Sequence, residues 1–384
     1  MASLYLHIPF CERKCIYCDF YSIENMSPMA PFISTLHKEI DLYKEHYKEH
    51  SSEQFTTIFL GGGTPSLLPA YEIKRILDHL HDTFRVTEDA EITVETNPGT
   101  VDAAKLQGYR DAGVNRLSIG VQSFHQDELD FLGRIHTANQ ARQCVRDARA
   151  AGFENISIDL IFSLPGQHQT KWAETLESAL SLEPQHISAY SLIVEDNTPL
   201  ARMVRTKLVS PNPLEEEADL YAYTMGRMQR AGFEQYEVSN YAQPGFRSQH
   251  NYNYWCHANY LGFGPSAHSF WKEGGEPGRR WWNVANLTNY ITRLEKNTAP
   301  VASSESLDPK QMLEERLFLG LRSDGVELGA LEHDYSTQFP RQQREFVAHL
   351  VEQKNAILES NGRLRLTPKG YLVCDEICAR LLPA

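Results

Sequence analysis

No run of this 384-residue chain approaches the roughly eighteen consecutive apolar residues that a membrane helix requires. Its opening stretch, MASLYLHIPF, lacks the basic region and apolar core of a secretory signal, so a cytoplasmic location is expected. Positive charge is scarce. Against 50 Asp and Glu stand 37 Lys and Arg, for a formal net charge of −13. Such a field repels a nucleic-acid backbone, and no nucleic-acid partner is expected. The seven cysteines are an odd count, and a reducing compartment keeps them as thiols or metal ligands rather than a disulfide framework. Internal repeats and low-complexity segments are missing as well. What remains is an ordinary globular composition, 41% hydrophobic and 10% aromatic, in a chain longer than one core usually supports.

Short β-rich runs alternate with amphipathic stretches over the first half. Strands are expected at 3–9, 56–62, 90–96, 116–122, 155–164 and 186–194, with helices at 70–84, 103–112, 139–151 and 170–182 between them. Six such repeats imply parallel βαβ units, arranged either as an open doubly wound sheet or as an incomplete (βα) barrel. Both architectures put functional groups at the C-terminal ends of strands, and the polar residues His7, 61 to 64, Glu95, Gln122 and Asp159 fall there. A helix follows at about 213–231. Residues 236–283 are then rich in Tyr, Trp, His, Asn and Gly. From about 307 a third composition reads as helices near 308–322 and 340–356 and a winged-helix-like end at 361–377. With few clustered basic residues, that end suits packing or a lid rather than DNA binding. The expected division is a core at 1–237, an aromatic extension at 238–304 and a C-terminal module at 305–384.

The chemistry concentrates in CERKCIYCDF. Cys11, Cys15 and Cys18 are spaced C-x3-C-x2-C, which gathers three thiolates around one small centre. Zinc, with His7 as a fourth ligand, is one reading. A [4Fe–4S] cluster is another: four irons normally take four thiolates, so three leave one iron open to chelate a small molecule through an amine and a carboxylate. Three inert thiols are the third. Cys144 and the i, i+4 pair Cys374 and Cys378 suit helix core faces, and His46 and His50 suit a solvated charged face.

This cysteine spacing just after the first strand of a (βα)6 pattern resembles the radical S-adenosylmethionine (SAM) superfamily. The resemblance implies a partial (β/α)6 TIM-like barrel of the radical SAM type, with a smaller α+β C-terminal domain. It implies a [4Fe–4S] cluster on Cys11, Cys15 and Cys18, with SAM on the open iron. GGGTPS at 61–66 resembles the family's run for the SAM amino group, which carries over to Gly62, Gly63 and Thr64. Glu95 in VETNP would take ribose hydroxyls and Arg134 in LGRIH the SAM carboxylate. Tyr5, Gln122 in GVQSF and Asp159 in IDLIFSLPGQ would complete the site.

Over roughly residues 3–375 the chain is similar to one branch of that family, which holds oxygen-independent coproporphyrinogen III dehydrogenases and haem chaperones. The dehydrogenases carry a further cysteine two residues after the third, where this chain has Phe20, and a long segment before the first strand. HNYNYW at 250–255 resembles the H-N-x-x-Y-W motif of the haem chaperones, in which His250 could ligate iron while Tyr254 and Trp255 pack on the macrocycle. The iron ligand is left open, with Cys256, His257 and His268 nearby. The expectation is a binding and delivery protein that carries haem to apo-haemoproteins, respiratory enzymes in particular, with transient contact to membrane proteins and a homodimer in view. The alternative is radical oxidative decarboxylation of coproporphyrinogen III.

Overall fold

A computed structural model describes residues 2–46, 53–273 and 278–382. The side chains of His46 and His50, paired in the sequence, lie outside the described residues. The six expected strands form as β1 (Ala2–Ile8), β2 (Phe55–Gly62), β3 (Val86–Thr96), β4 (Arg116–Gln122), β5 (Asn155–Phe162) and β6 (His186–Ser191). Each is parallel to the next, in sequence order. That order has no reversal point, so the sheet winds one way around as a barrel does, and the doubly wound alternative falls away.

The strands alternate. Leu4, Leu6, Ile58, Leu60, Val94, Leu117, Ile119, Ile156 and Ile158 are buried in the core under the surrounding helices. Those helices include Ala70–Thr83, which buries Ile73, Ile76, Leu77 and Leu80, and Ala138–Ala150, which buries Ala141, Cys144, Val145 and Ala148. The intervening residues turn to the other face, where Ser118 and Ser188 on the two flanking strands both donate to the Asp159 carboxylate. The barrel therefore has an apolar jacket and a polar interior.

It does not close on itself. β6 pairs with β8 (Asn240–Ala242), which also takes the short β7 (Glu234–Gln235). On the other side β1 pairs in parallel with β9 (Asn259–Phe263), and β10 (His268–Trp271), β11 (Gly278–Asn283) and β12 (Val301–Leu307) follow antiparallel. The aromatic stretch thus extends the core sheet to twelve strands. Glu39, on the helix Met29–His46, holds the two parts together. Its fully buried carboxylate accepts from the Gly264 N–H at 2.8 Å, Asn283 Nδ2 at 2.6 Å and the Tyr290 hydroxyl at 2.6 Å. Beyond Pro309 a helix (Pro309–Leu321) leads into a three-stranded sheet of β13 (Val326–Glu327), β14 (Ala356–Leu358) and β15 (Arg363–Leu366), with Cys374 and Cys378 buried in its core. Among the described residues no helix is long and apolar enough to cross a membrane.

Candidate functional site

The segment after β1 carries the cysteines over the C-terminal rim of the barrel. It is anchored at both ends. Phe10 bridges to Ile23, with the Cys11 N–H on the Ile23 carbonyl at 3.0 Å. The Ile16 N–H reaches Leu132 O at 3.3 Å, and the Leu200 N–H reaches Ile16 O at 2.9 Å. Tyr17 packs with Leu132, Ile161, Leu164 and Leu192 over the ends of β5 and β6. The cysteine loop is therefore tied to rim segments far away in sequence.

Two rim residues face the thiols directly. Arg134 donates from Nη1 to Cys15 Sγ at 3.4 Å and from Nη2 to the Gly120 carbonyl at 2.7 Å, while its buried Nε has no partner. The Thr64 hydroxyl lies 3.6 Å from Cys11 Sγ. Burial pushes the Cys18 thiol up to about 11, so its thiolate needs a cation beside it. Three soft donors, a guanidinium and an orphaned buried N–H fit an anionic iron–sulfur cluster with a ligand on it better than they fit inert thiols. Zinc would need a fourth ligand beside the three thiols, and His7 is engaged elsewhere: Nε2–H donates to Tyr21 O at 2.7 Å, and Nδ1 lies 3.2 Å from the Tyr5 hydroxyl.

The glycine run ends β2 against this loop. Gly62 has a φ of +104°, and a Cβ there would lie 2.6 Å from the His7 ring. A Cβ on Gly63 would meet the Phe10 and Ile8 carbonyl oxygens at 2.6 and 2.8 Å. Only glycine therefore lets this turn pack directly against the end of β1 and the start of the cysteine loop. Glu95 accepts the Gly62 N–H at 3.1 Å. Burial, then the neighbouring Asp159, pushes its carboxyl up to about 8. Gln122 sits just past a register shift in β4, in the left-handed region at φ 68°. That bulge aims its side chain over Gly120, where a Cβ would be 3.0 Å from Gln122 Nε2 and 3.3 Å from Arg134 Nη2. Asp159 is occupied deeper in the barrel. It accepts from the hydroxyls of Ser118, Ser157 and Ser188 at 2.8, 3.0 and 2.8 Å.

HNYNYW forms a separate feature, the helix Gln249–Trp255. Glu91 holds the start of this helix, accepting from the N–H groups of Gln249 and His250 at 3.0 and 3.1 Å. His250 is buried, stacked on Phe59 at 4.8 Å, with Nδ1 2.8 Å from the Thr57 hydroxyl and Nε2 3.2 Å from the Tyr254 hydroxyl. Both ring nitrogens are therefore in use. Trp255 is half-buried, and Tyr252 on the same helix donates to Asp324 of the C-terminal part at 2.8 Å. Cys256 is half-buried at the end of that helix, and His257 is buried against Phe270 at 4.3 Å.

The structure thus brings Thr64 to Cys11 and Arg134 to Cys15, and joins Gly62 to Glu95 and Gln122 to Gly120 beside them. It sets His250 and Tyr254 apart, linked to the rim through the Tyr5 and Phe59 rings. Sequence reasoning missed Gly120, Tyr17 and Arg116. Arg116 is 1% exposed, its Nε lies 4.0 Å from Glu91, and Nε and Nη1 have no hydrogen-bond partner. An arginine opening an otherwise apolar strand was the available signal.

Comparison with known proteins matches residues 5–179 to the Radical SAM superfamily and residues 307–373 to the HemN C-terminal domain. The chain is 36% identical to the heme chaperone HemW of Bacillus subtilis (strain 168), over 100% of this chain and 99% of that one. It is 34% identical to the heme chaperone HemW of Lactococcus lactis (strain IL1403), over 99% and 97%. For the heme chaperone HemW of Escherichia coli (strain K12) the figure is 38%, over 69% of each chain. In structure it resembles coproporphyrinogen III oxidase (HemN) from Escherichia coli, with a TM-score of 0.84, 22% identity, and coverage of 99% of this chain and 90% of that one. At that identity the likeness is one of fold.

Proposed function

The chain belongs to the radical SAM superfamily and, within it, to the family of the heme chaperone HemW; on that premise we propose that it binds haem and hands it to apo-haemoproteins, respiratory enzymes among them. The observation that carries this reading is the end-to-end relation to the Bacillus subtilis chaperone. The rim supports the cofactors that go with it. Cys11, Cys15 and Cys18 would hold a [4Fe–4S] cluster with one iron left for the amine and carboxylate of SAM. When bound, that pair supplies an electron and a sulfonium bond that the electron can cleave.

The chain's own residues have distinct tasks. Gly62 and Gly63 seat the turn closely against β1, where its backbone would meet the SAM amino group, and Thr64 joins that turn to the Cys11 thiol. Arg134 offsets negative charge at Cys15 and takes the carboxylate. Glu95, its pKa raised by burial, offers oxygens to the ribose. Gln122, Tyr5 and Asp159 line the path inward. Haem would lie against the helix Gln249–Trp255, using Trp255 as a flat partner. Iron ligation by His250 requires release of one ring nitrogen, Nδ1 from Thr57 or Nε2 from Tyr254. The same reading includes a cytoplasmic location, transient contact with membrane-bound recipients and a homodimer.

Decarboxylation of coproporphyrinogen III is the reading set aside. Phe20, 63% exposed, stands where that enzyme's further cysteine would be. The deciding experiment is anaerobic reconstitution with iron and sulfide, then haem titration and a coproporphyrinogen III decarboxylation assay on one preparation. Saturable haem binding without turnover is expected, and turnover to protoporphyrinogen would overturn the assignment.

A further inference from the structure

Behind the rim, two sets of hydrogen bonds back the segments that carry Thr64, Glu95, Gln122 and Arg134: one joins the turns after β2 and β3, the other ties the segment after Arg134 to the end of β4. Ser66, fully buried two residues past Thr64, shares a 2.6 Å hydrogen bond with the Thr100 hydroxyl, and its Oγ accepts the Asn97 N–H at 3.0 Å. Asn97 is two residues past Glu95. Lys105 Nζ donates to the carbonyl oxygens of Ser66 at 2.5 Å and Thr100 at 3.1 Å. The buried Tyr109 hydroxyl donates to Leu68 O at 2.7 Å and lies 3.2 Å from Ser66 O. On the far side His136, 1% exposed and two residues past Arg134, donates from Nε2 to the carbonyl of Val121, next to Gln122, at 3.1 Å. Its Nδ1, left without a proton by that donation, only packs against Asn97 Oδ1, which accepts the Gly99 N–H at 3.3 Å.

Residues 63 to 68 turn sharply and leave the sheet, so the carbonyls of Ser66 and Leu68 have no strand partner. A buried carbonyl must find a donor. Here the donors are side chains of the next βα unit, the ammonium of Lys105 and the phenol of Tyr109. An ordinary surface lysine would extend into water. This one instead turns back onto two carbonyls of two different strand-end turns.

We propose that Lys105 and Tyr109, with His136 on the opposite side, are positioning residues for the SAM pocket: the first two set the glycine turn in register with the end of β3, and His136 holds the Arg134 segment to the end of β4. This inference rests on the reading of the rim as a SAM site. It assigns these residues no contact with SAM. Outer partners that orient binding groups commonly cost ten- to a hundredfold in affinity when removed.

The test compares wild type, Lys105→Met, Tyr109→Phe and His136→Gln after anaerobic reconstitution. Iron content, thermal midpoint, SAM affinity and the SAM-induced change in the electron paramagnetic resonance spectrum of the reduced cluster are measured on each. Lys105→Met should take up iron as wild type does, and its SAM-free spectrum should be unchanged. Its SAM dissociation constant should rise roughly tenfold or more. Tyr109→Phe, which removes one oxygen, should give a smaller rise in the same direction, and it decides the matter where Lys105→Met does not fold. His136→Gln keeps a donor for the Val121 carbonyl and should retain most of the affinity. Wild type that binds SAM, with Lys105→Met and Tyr109→Phe binding equally well, overturns the inference alone. Wild type that takes up iron but no SAM overturns the SAM reading and the inference with it.

Discussion

Gly63 and Gly329 make a controlled pair at the scale of single residues. A Cβ on Gly63 would press on two carbonyl oxygens, whereas one on Gly329 would meet nothing within 4 Å. Gly63→Ala should therefore lower unfolding free energy by about 1–3 kcal/mol and weaken SAM binding together. Gly329→Ala, in the helix Leu328–Asp334, should be neutral or slightly stabilising. Denaturant unfolding and SAM titration check both. The cysteines divide the same way. Replacing Cys11, Cys15 or Cys18 with Ala should abolish iron uptake after reconstitution. Cys144→Ala, at a core position on the helix Ala138–Ala150, should keep it. Retained iron in all three loop variants would refute the ligand assignment. The cysteine spacing was legible in the sequence because three thiols in eight residues need no tertiary contact to be near one another. The contact of Arg134 with Cys15 was not legible as such, since 119 residues separate them.

The helix Gln249–Trp255 has seven residues, too few to persist in water without outside support. Its support is buried and polar: Glu91 at its N-terminus, Thr57 on His250, and Ser3 Oγ accepting from Asn253 Nδ2 at 2.9 Å. Glu91→Gln removes the charge at that terminus and the nearest carboxylate to the buried Arg116, so a loss of about 3 kcal/mol is expected. Faster hydrogen exchange over 248–257 should accompany it. His250 adds a pH signature. Burial, then Arg116, lowers its pKa to about 3, so the folded ring stays neutral while the unfolded one protonates below about 6.5. Stability from this group is complete above that value and falls as the pH drops toward 3. The stability advantage of wild type over His250→Gln should accordingly shrink by up to about 2 kcal/mol between pH 7 and pH 5, measured by urea unfolding. An unchanged difference would mean that the ring is not held as described. Aromatic content suggested a flat-ring binding face here. The fold uses the inner half of that face as barrel packing, which only burial could reveal.

Over the whole molecule, Glu39 joins the barrel helix Met29–His46 to β11, the β9–β10 turn and the helix Leu287–Glu295. Burial raises its pKa to about 7 despite three donors. The folded protein then keeps a proton that the unfolded chain releases near 4.5, so this group's contribution declines as the pH rises from 4.5 to 7. The stability difference between wild type and Glu39→Gln should narrow over that interval by at most about 3 kcal/mol, with no further change above it. A flat difference would argue for an ionised carboxylate throughout. By itself the sequence determined the six parallel strands, their helices and the cysteine and glycine motifs, because alternation, helical periodicity and close spacing are local properties of a chain. Only the tertiary structure decided that residues 259–307 extend the barrel's own sheet, that His250 is fastened at both nitrogens, and that Lys105 and His136 stand behind the rim. Those outcomes depend on which buried polar groups find partners across long stretches of chain, and that pairing is settled when the elements pack.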